Sequence, residues 1–118
     1  MAVLQIHGTA DDTVSFDGGS IRGVVYPGAA ETVRTWAEFG GCDDRPIAES
    51  TLLDLDAGIS GPNCKPAETR VETYSSGCRA GGHAELWTIE NGGHSPDLTP
   101  DFAELVVTFL LSHPKPGD

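Results

Sequence analysis

The chain has 118 residues, which is enough for one small domain with one hydrophobic core, so residues 1–118 are treated as a single domain. Its formal net charge of −11 argues against nucleic acid and anionic membrane surfaces as partners, because binding phosphate groups requires Lys and Arg. The sequence contains no run of 18 apolar residues, so no membrane span is predicted. No signal peptide is predicted at Met1, because no basic segment precedes the first apolar run.

The first predicted element is a strand over residues 3–6, whose aliphatic and nearly continuous sequence is typical of a strand buried on both faces. Gly8 lets the backbone turn, and two carboxylates, Asp11 and Asp12, follow the strand. A strand this close to Met1 leads us to expect that further sequence normally precedes it.

A crossover helix is predicted next, after turn-forming residues 16–20 and a short extended segment over residues 21–26. It begins after Pro27-Gly28 and ends at Gly40-Gly41. Its apolar residues recur at steps of three and four: Ala30, Val33, Trp36 and Ala37. We interpret this helix as the connection between two parallel strands.

The second half begins with irregular residues 43–66. Residues 70–74 alternate polar and apolar side chains, which predicts a half-exposed strand near a sheet edge. A Gly-rich turn over residues 75–82 and a strand over residues 83–89 follow.

The last predicted element is an amphipathic helix that ends before Pro114, with Thr99 as N-cap and Pro100 at the first helical position. Its apolar face contains Phe102, Leu105, Val106, Phe109 and Leu110.

The three cysteines, Cys42, Cys64 and Cys78, allow at most one disulfide within the chain. We favour Cys42–Cys78, because both lie beside Gly at the ends of predicted elements. This bond predicts an oxidising compartment and a stabilisation of about 3–4 kcal/mol. The alternative of three reduced thiols remains open.

An acid after one strand and a histidine after another form the candidate catalytic pair. Asp11 follows the first strand, and His94 lies in residues 90–96, after the strand that ends near Ile89. This order matches the second half of a Ser…Asp…His triad, whose members are brought together by the fold.

At several motifs the chain resembles the C-terminal part of α/β-hydrolases of the polyhydroxybutyrate depolymerase and feruloyl esterase type. The motifs are residues 7–14 (HGTADDTV), 26–32 with Trp36, 41–42, 74–78, 85–90, 91–95 (NGGHS) and 110–116. The resemblance implies a carboxylesterase-like serine hydrolase with Asp11 as triad acid and His94 as base, acting on small esters. It also supports the Cys42–Cys78 pair and implies a secreted or periplasmic protein.

The nucleophile of that family lies in a G-x-S-x-G motif, which this chain lacks. Four alternatives remain: Ser15 near the acid loop, Ser95 beside His94, a serine supplied by a second polypeptide, or a water activated by histidine. A non-catalytic, truncated hydrolase fragment that folds and self-associates is the competing hypothesis.

The remaining polar residues have structural interpretations. We interpret Asp12 as a solvated turn residue, His7 as a hydrogen-bonded structural histidine, His83 as a strand-start residue and His113 as a cation at a helix C-terminus. A metal site formed by His7, Asp11, Asp12 and His94 is disfavoured, because helical H-x-x-x-H spacing is absent. No cofactor is expected.

Together these elements predict an α/β protein with a partial α/β-hydrolase fold, in which a small, mostly parallel sheet is packed by helices. Such a fragment leaves a strand edge unpaired near residues 2–6 and an apolar face uncovered. Because bare edges and apolar patches promote association, we expect a homo-oligomer.

Overall fold

A computed structural model describes residues 1–58 and 67–116. In chain order the elements are β1 (Ala2–Gly8), β2 (Gly18–Ile21), β3 (Val24–Pro27), α1 (Ala29–Phe39), β4 (Ile47–Ala48), β5 (Thr69–Tyr74), β6 (His83–Ile89) and α2 (Asp101–Ser112). The predictions of a strand over residues 3–6, a strand over residues 83–89 and two helices are confirmed.

The main sheet of the described residues has the strand order β1-β6-β5-β4 and is mixed. Strand β1 pairs parallel with β6, whereas β5 pairs antiparallel with both β6 and β4. The prediction of a partial α/β-hydrolase fold with a mostly parallel sheet is therefore wrong. The physical reason lies in residues 75–82, because a parallel connection needs about a dozen residues or more, and this turn is shorter.

Helix α1 covers one face of the sheet. Its apolar face places Val33 and Ala37 against Ala84 and Leu86 of β6, and Tyr74 of β5 completes this part of the core. The helix lies between β1 and β6 in sequence and contacts both strands. It therefore provides the crossover that the parallel pair requires.

Helix α2 packs near the opposite face of the same sheet. Trp87 and Ile89 point to this face, since side chains alternate along a strand, and Phe109 of α2 packs against them. Leu4 and Ile6 of β1 are partly buried beside this cluster. Strand β6 thus contributes to the core on both faces of the sheet, and so does β5, through Tyr74 on the α1 side and Val71 on the α2 side.

Strands β2 and β3 form a separate two-stranded antiparallel hairpin. The prediction of turn residues 16–20 and a single extended segment 21–26 is wrong here. The chain reverses at Arg22 and Gly23, whose φ angles of 51° and 80° belong to a type I′ turn. Arg is an unusual residue for such a turn, so the usual Asn-Gly or Asp-Gly signal is missing from the sequence.

Strand β5 lies next to the two-residue edge strand β4, which agrees with the prediction of a strand near a sheet edge. Its outer side pairs with β4 and, through an isolated bridge, Leu53 pairs with Thr69. The side chains of Arg70 and Glu72 project from the same face of β5, where Arg70 is exposed and Glu72 is half-buried.

The disulfide predicted between Cys42 and Cys78 is confirmed. It joins the segment after α1 to the turn between β5 and β6, across a sequence separation of 36 residues. Cys64, the third cysteine, lies outside the described residues.

The start of α2 differs from the prediction in one detail. The helix begins at Asp101 with Pro100 at the N-cap position, and no side chain caps it. The Thr99 hydroxyl instead donates a 2.6 Å hydrogen bond to the Asp54 carbonyl, so it fastens the helix start to a distant loop. No helix in residues 1–58 and 67–116 is long and apolar enough to cross a membrane.

Candidate active site

The candidate site lies at the C-terminal ends of β1 and β6. Because the two strands are parallel neighbours with Gly8 opposite Ile89, the loops that follow them begin at the same edge of the sheet. Backbone N–H groups of Thr9 and Ala10 donate to the carbonyls of Ile89 and Gly92, at 3.0 and 2.9 Å. The fold therefore brings together two loops that are far apart in sequence.

Close backbone contact between the loops requires glycine at position 8. A Cβ atom on Gly8 would collide with the backbone carbonyl of Gly92, which cannot rotate away as a side chain can. By contrast, a Cβ atom on Gly93 would meet nothing within 4 Å. Gly8 is thus needed for the approach of the two loops, and Gly93 is not.

Asp11 and His94 are in hydrogen-bonding contact. The Nδ1 atom of His94 lies 3.1 Å from Oδ2 and 3.2 Å from Oδ1 of Asp11. The Asp11 side chain is 7% exposed and that of His94 is 48% exposed. The carboxylate is therefore buried, and the imidazole that it contacts is about half exposed to solvent.

Two backbone N–H groups also hold the Asp11 carboxylate. Thr13 and Val14 both donate to Oδ1 at 2.9 Å, as in an Asx turn. Desolvation raises the pKa of Asp11, but the bonds from Val14, His94 and Thr13 and the charge of His94 outweigh it and lower the pKa from 3.8 to about 2. Asp11 is consequently an anion at neutral pH.

The ionised carboxylate determines the state of the imidazole. A carboxylate only accepts hydrogen bonds, so the Nδ1 atom of His94 that faces Asp11 must bear a proton. In the neutral imidazole Nε2 is then left with a lone pair. His94 is thus oriented to accept a proton at Nε2, as a general base does.

His7 supports the same carboxylate from the other side. Its Nε2 atom lies 2.8 Å from the Val14 carbonyl and 3.3 Å from Asp11 Oδ2, and its ring packs edge-on against Phe16. Since a carbonyl only accepts, Nε2 of His7 donates. This contact agrees with the interpretation of His7 as a hydrogen-bonded structural histidine.

A cleft of about 360 Å³ opens beside the pair, within the range of small-ligand sites. Asp11 and His94 line its polar side. Its apolar side is formed by Ile6, Val14, Ile89, Leu98 and Phe102. The cleft therefore has the size for a small ligand and offers it both polar and apolar contacts.

The two candidate serines lie apart from this contact. The backbone N–H of Ser15 donates to the Tyr26 hydroxyl at 2.8 Å, and Ser95 is exposed. Within residues 1–58 and 67–116 neither hydroxyl is hydrogen-bonded to His94, and neither residue lines the cleft. Asp12 is exposed, in agreement with a solvated turn residue.

Sequence reasoning missed the backbone donors of Thr13 and Val14 and the spacing role of Gly8. The Asx-turn pattern of an Asp followed by polar turn residues was the available signal for the donors. The disfavoured metal site around Asp11 has a counterpart elsewhere. Among the described residues, closely spaced metal-ligating atoms are found at His83, Glu85 and His113.

Comparison with known proteins adds no relative: no family model, no curated protein and no solved structure matches the chain.

Proposed function

We propose that the protein is a carboxylic ester hydrolase in which His94 is the general base. Asp11 orients the imidazole and stabilises its protonated form. The contact of 3.1 Å between His94 Nδ1 and Asp11 Oδ2 is the observation that supports it most. The depressed pKa of Asp11, the half-exposed imidazole and the adjoining cleft add support. The motifs at residues 7–14 and 91–95 agree with the same chemistry.

In this proposal Nε2 of His94 removes a proton from a hydroxyl as its oxygen attacks the ester carbonyl carbon. A carbon–oxygen bond forms, and the imidazolium is stabilised by the Asp11 carboxylate. Collapse of the tetrahedral intermediate breaks the bond to the alcohol oxygen, and His94 returns the proton to that oxygen. A serine nucleophile leaves an acyl-enzyme for water to hydrolyse, whereas a water nucleophile gives the free acid directly.

The attacking hydroxyl stays a prediction with four candidates: Ser15, Ser95, a serine of a second polypeptide and a water molecule. A water molecule requires no rearrangement of the site. His94 lines the open cleft, and no serine hydroxyl of the described residues is hydrogen-bonded to its imidazole. We accordingly rank direct attack by water first.

Hydrolysis of short-chain p-nitrophenyl esters tests the proposal. His94→Gln should lower kcat/KM by at least about 100-fold, the effect of losing a general base. Asp11→Asn should lower it similarly, because an amide neither holds the tautomer nor stabilises the imidazolium. The matched control is Asp12→Asn, which removes an adjacent exposed carboxylate and should leave the rate unchanged. Equal rates in wild type and His94→Gln would refute the proposal.

A serine-directed phosphonate followed by mass spectrometry identifies the nucleophile. Labelling of Ser15 or Ser95 that depends on His94 would assign that serine. Absence of labelling in an active enzyme would assign the water mechanism. Labelling of a serine on a second polypeptide, seen only when that polypeptide is added, would assign a serine supplied in trans.

A second candidate function is a non-catalytic protein that self-associates, and the position of β1 at the end of the described sheet agrees with self-association. The accessible surface is 7431 Å², whereas a compact monomer of this size exposes about 6,100 Å². We propose that the unpaired edge of β1 contributes to this association, which is compatible with either function.

The disulfide supports a location in an oxidising compartment, since such bonds persist mainly in secreted and periplasmic proteins. We propose such a location for this protein.

A further inference from the structure

We propose that His83, Glu85 and His113 form a binding site for a divalent transition-metal ion of the zinc class, separate from the Asp11–His94 pair. Each of the three residues offers one ligand atom, and these atoms lie within 4.8 Å of one another. Two histidines and one carboxylate are a ligand set that Zn²⁺ accepts, with the fourth position left to water.

The secondary structure explains why these residues meet. His83 and Glu85 are two residues apart on β6, so their side chains project from the same face of the sheet. His113 follows the last turn of α2, and its ring stacks on that of His83 with centroids 4.0 Å apart. The ion would therefore join the end of α2 to the central strand.

The ligand atoms of His83 and Glu85 are already in contact. His83 Nε2 lies 2.6 Å from Glu85 Oε2, and a metal ion would take the place of the proton between them. Tetrahedral ligands about 2.1 Å from zinc lie roughly 3.4 Å apart, so on binding the His83–Glu85 contact would open and the stacked rings of His83 and His113 would tilt toward the ion.

The surrounding groups match the outer shell of a metal site. His113 Nδ1 lies 2.9 Å from the Phe109 carbonyl, which leaves Nε2 with its lone pair for the ion. Trp87 Nε1 donates at 2.9 Å to Oε1 of Glu85, which fixes the carboxylate while Oε2 faces the histidines. Glu85 and His113 also line a cleft of about 300 Å³, through which water can reach the ion.

Titration of Zn²⁺ into the full chain, previously stripped with a chelator, tests the proposal by calorimetry. One Zn²⁺ should bind per chain and raise the unfolding temperature. Glu85→Gln and His113→Gln should each weaken binding by more than about tenfold, the minimum for disturbing such a site. The control His94→Gln removes the histidine of the candidate active site and should leave binding unchanged. No binding by the wild type, or unchanged binding by Glu85→Gln and His113→Gln, would overturn the proposal.

A second measurement does not depend on the folding of the ligand variants. In Trp36→Phe, Trp87 is the remaining tryptophan of the chain, and its side chain is 4% exposed and bonded to Glu85. Cu²⁺ bound at the site should quench its fluorescence and saturate at one ion per chain. Quenching that grows linearly without saturation would show collision only and would overturn the proposal, whatever the substituted ligands do.

Discussion

At the scale of single residues, Asp11 has the densest set of polar contacts around the candidate site. Two backbone N–H groups, His94 and His7 all approach its carboxylate. Such donors stabilise the ionised form, so the carboxylate contributes both to the charge of the site and to the stability of the loop. The contribution of Asp11 to stability can be measured by varying the pH, because the carboxyl group has different pKa values in the folded and unfolded chains.

The pH dependence of stability should show the contribution of Asp11. Its pKa of about 2 in the folded chain lies below the ordinary 3.8, so ionisation favours folding. This stabilisation is complete well above pH 3.8 and is lost as the pH falls through about 2. Urea unfolding of wild type and Asp11→Asn between pH 5 and pH 2 should show a stability difference that shrinks at the acid end. A difference independent of pH would contradict the prediction, and Asp12→Asn serves as the control.

Glycine 8 sets how closely the two site loops approach. Gly8→Ala should destabilise the fold by about 1–3 kcal/mol, as overpacking does, because the added methyl meets the Gly92 backbone. Gly93→Ala is the matched control in the neighbouring loop; nothing lies within 4 Å of its Cβ, so its effect should stay within about 0.5 kcal/mol. Chemical denaturation measures both, and equal effects would show that the loops are not tightly packed.

At the scale of elements, the disulfide and helix α1 act on the same part of the fold. The bond between Cys42 and Cys78 fastens the chain after α1 to the turn that connects β5 with β6. That turn sets the antiparallel pairing of β5 and β6, and β6 in turn leads into the loop of His94. The disulfide therefore stabilises the frame of the site without touching it.

Removal of the disulfide should lower the free energy of unfolding by about 3–4 kcal/mol, because a loop of 36 residues regains its entropy in the unfolded chain. The variant Cys42→Ser/Cys78→Ser, measured by denaturant unfolding, tests this value. A reductant is the control: it should lower the stability of the wild type to that of the variant and leave the variant unchanged. A variant as stable as the oxidised wild type would refute the prediction.

Local patterns predicted most elements but not how the strands pair. The aliphatic run of β1 and the apolar steps of α1 are properties of neighbouring residues, so they could be identified in the sequence. Strand β4 has two residues, too few for any period to appear. The short connection between β5 and β6 indicates their antiparallel pairing, whereas the resemblance to α/β-hydrolases indicates a parallel sheet.

At the scale of the whole molecule, several large apolar side chains are exposed, and the radius of gyration exceeds that of a compact domain of the same length. Large apolar side chains are exposed on the hairpin and on the outer face of α2: Val24, Val25, Val107, Leu110 and Leu111. The radius of gyration is 14.9 Å, against about 13.5 Å for a compact domain of this length. Strand β1 ends the sheet on one side, and its outer edge is unpaired among the described residues.

Self-association through the edge of β1 is therefore expected. Light scattering at micromolar concentration should give a mass of two chains or more. Gln5→Lys, which places a charge on the edge strand, should shift the population toward monomer, because edge charges oppose strand pairing. Thr35→Lys adds the same charge on the exposed side of α1 and is the control. A wild-type monomer at this concentration, or equal masses in both variants, would contradict the prediction.

The sequence by itself determined the features that depend on neighbours along the chain: the type of most elements, the position of Asp11 and His94 after strands, and the most plausible cysteine pair. Tertiary structure alone decided the mixed sheet, the contact between Asp11 and His94 across 83 residues, and the meeting of His83, Glu85 and His113. The physical reason is that strand pairing and helix packing place residues by burying apolar faces against distant partners, and no local period encodes which partner that is.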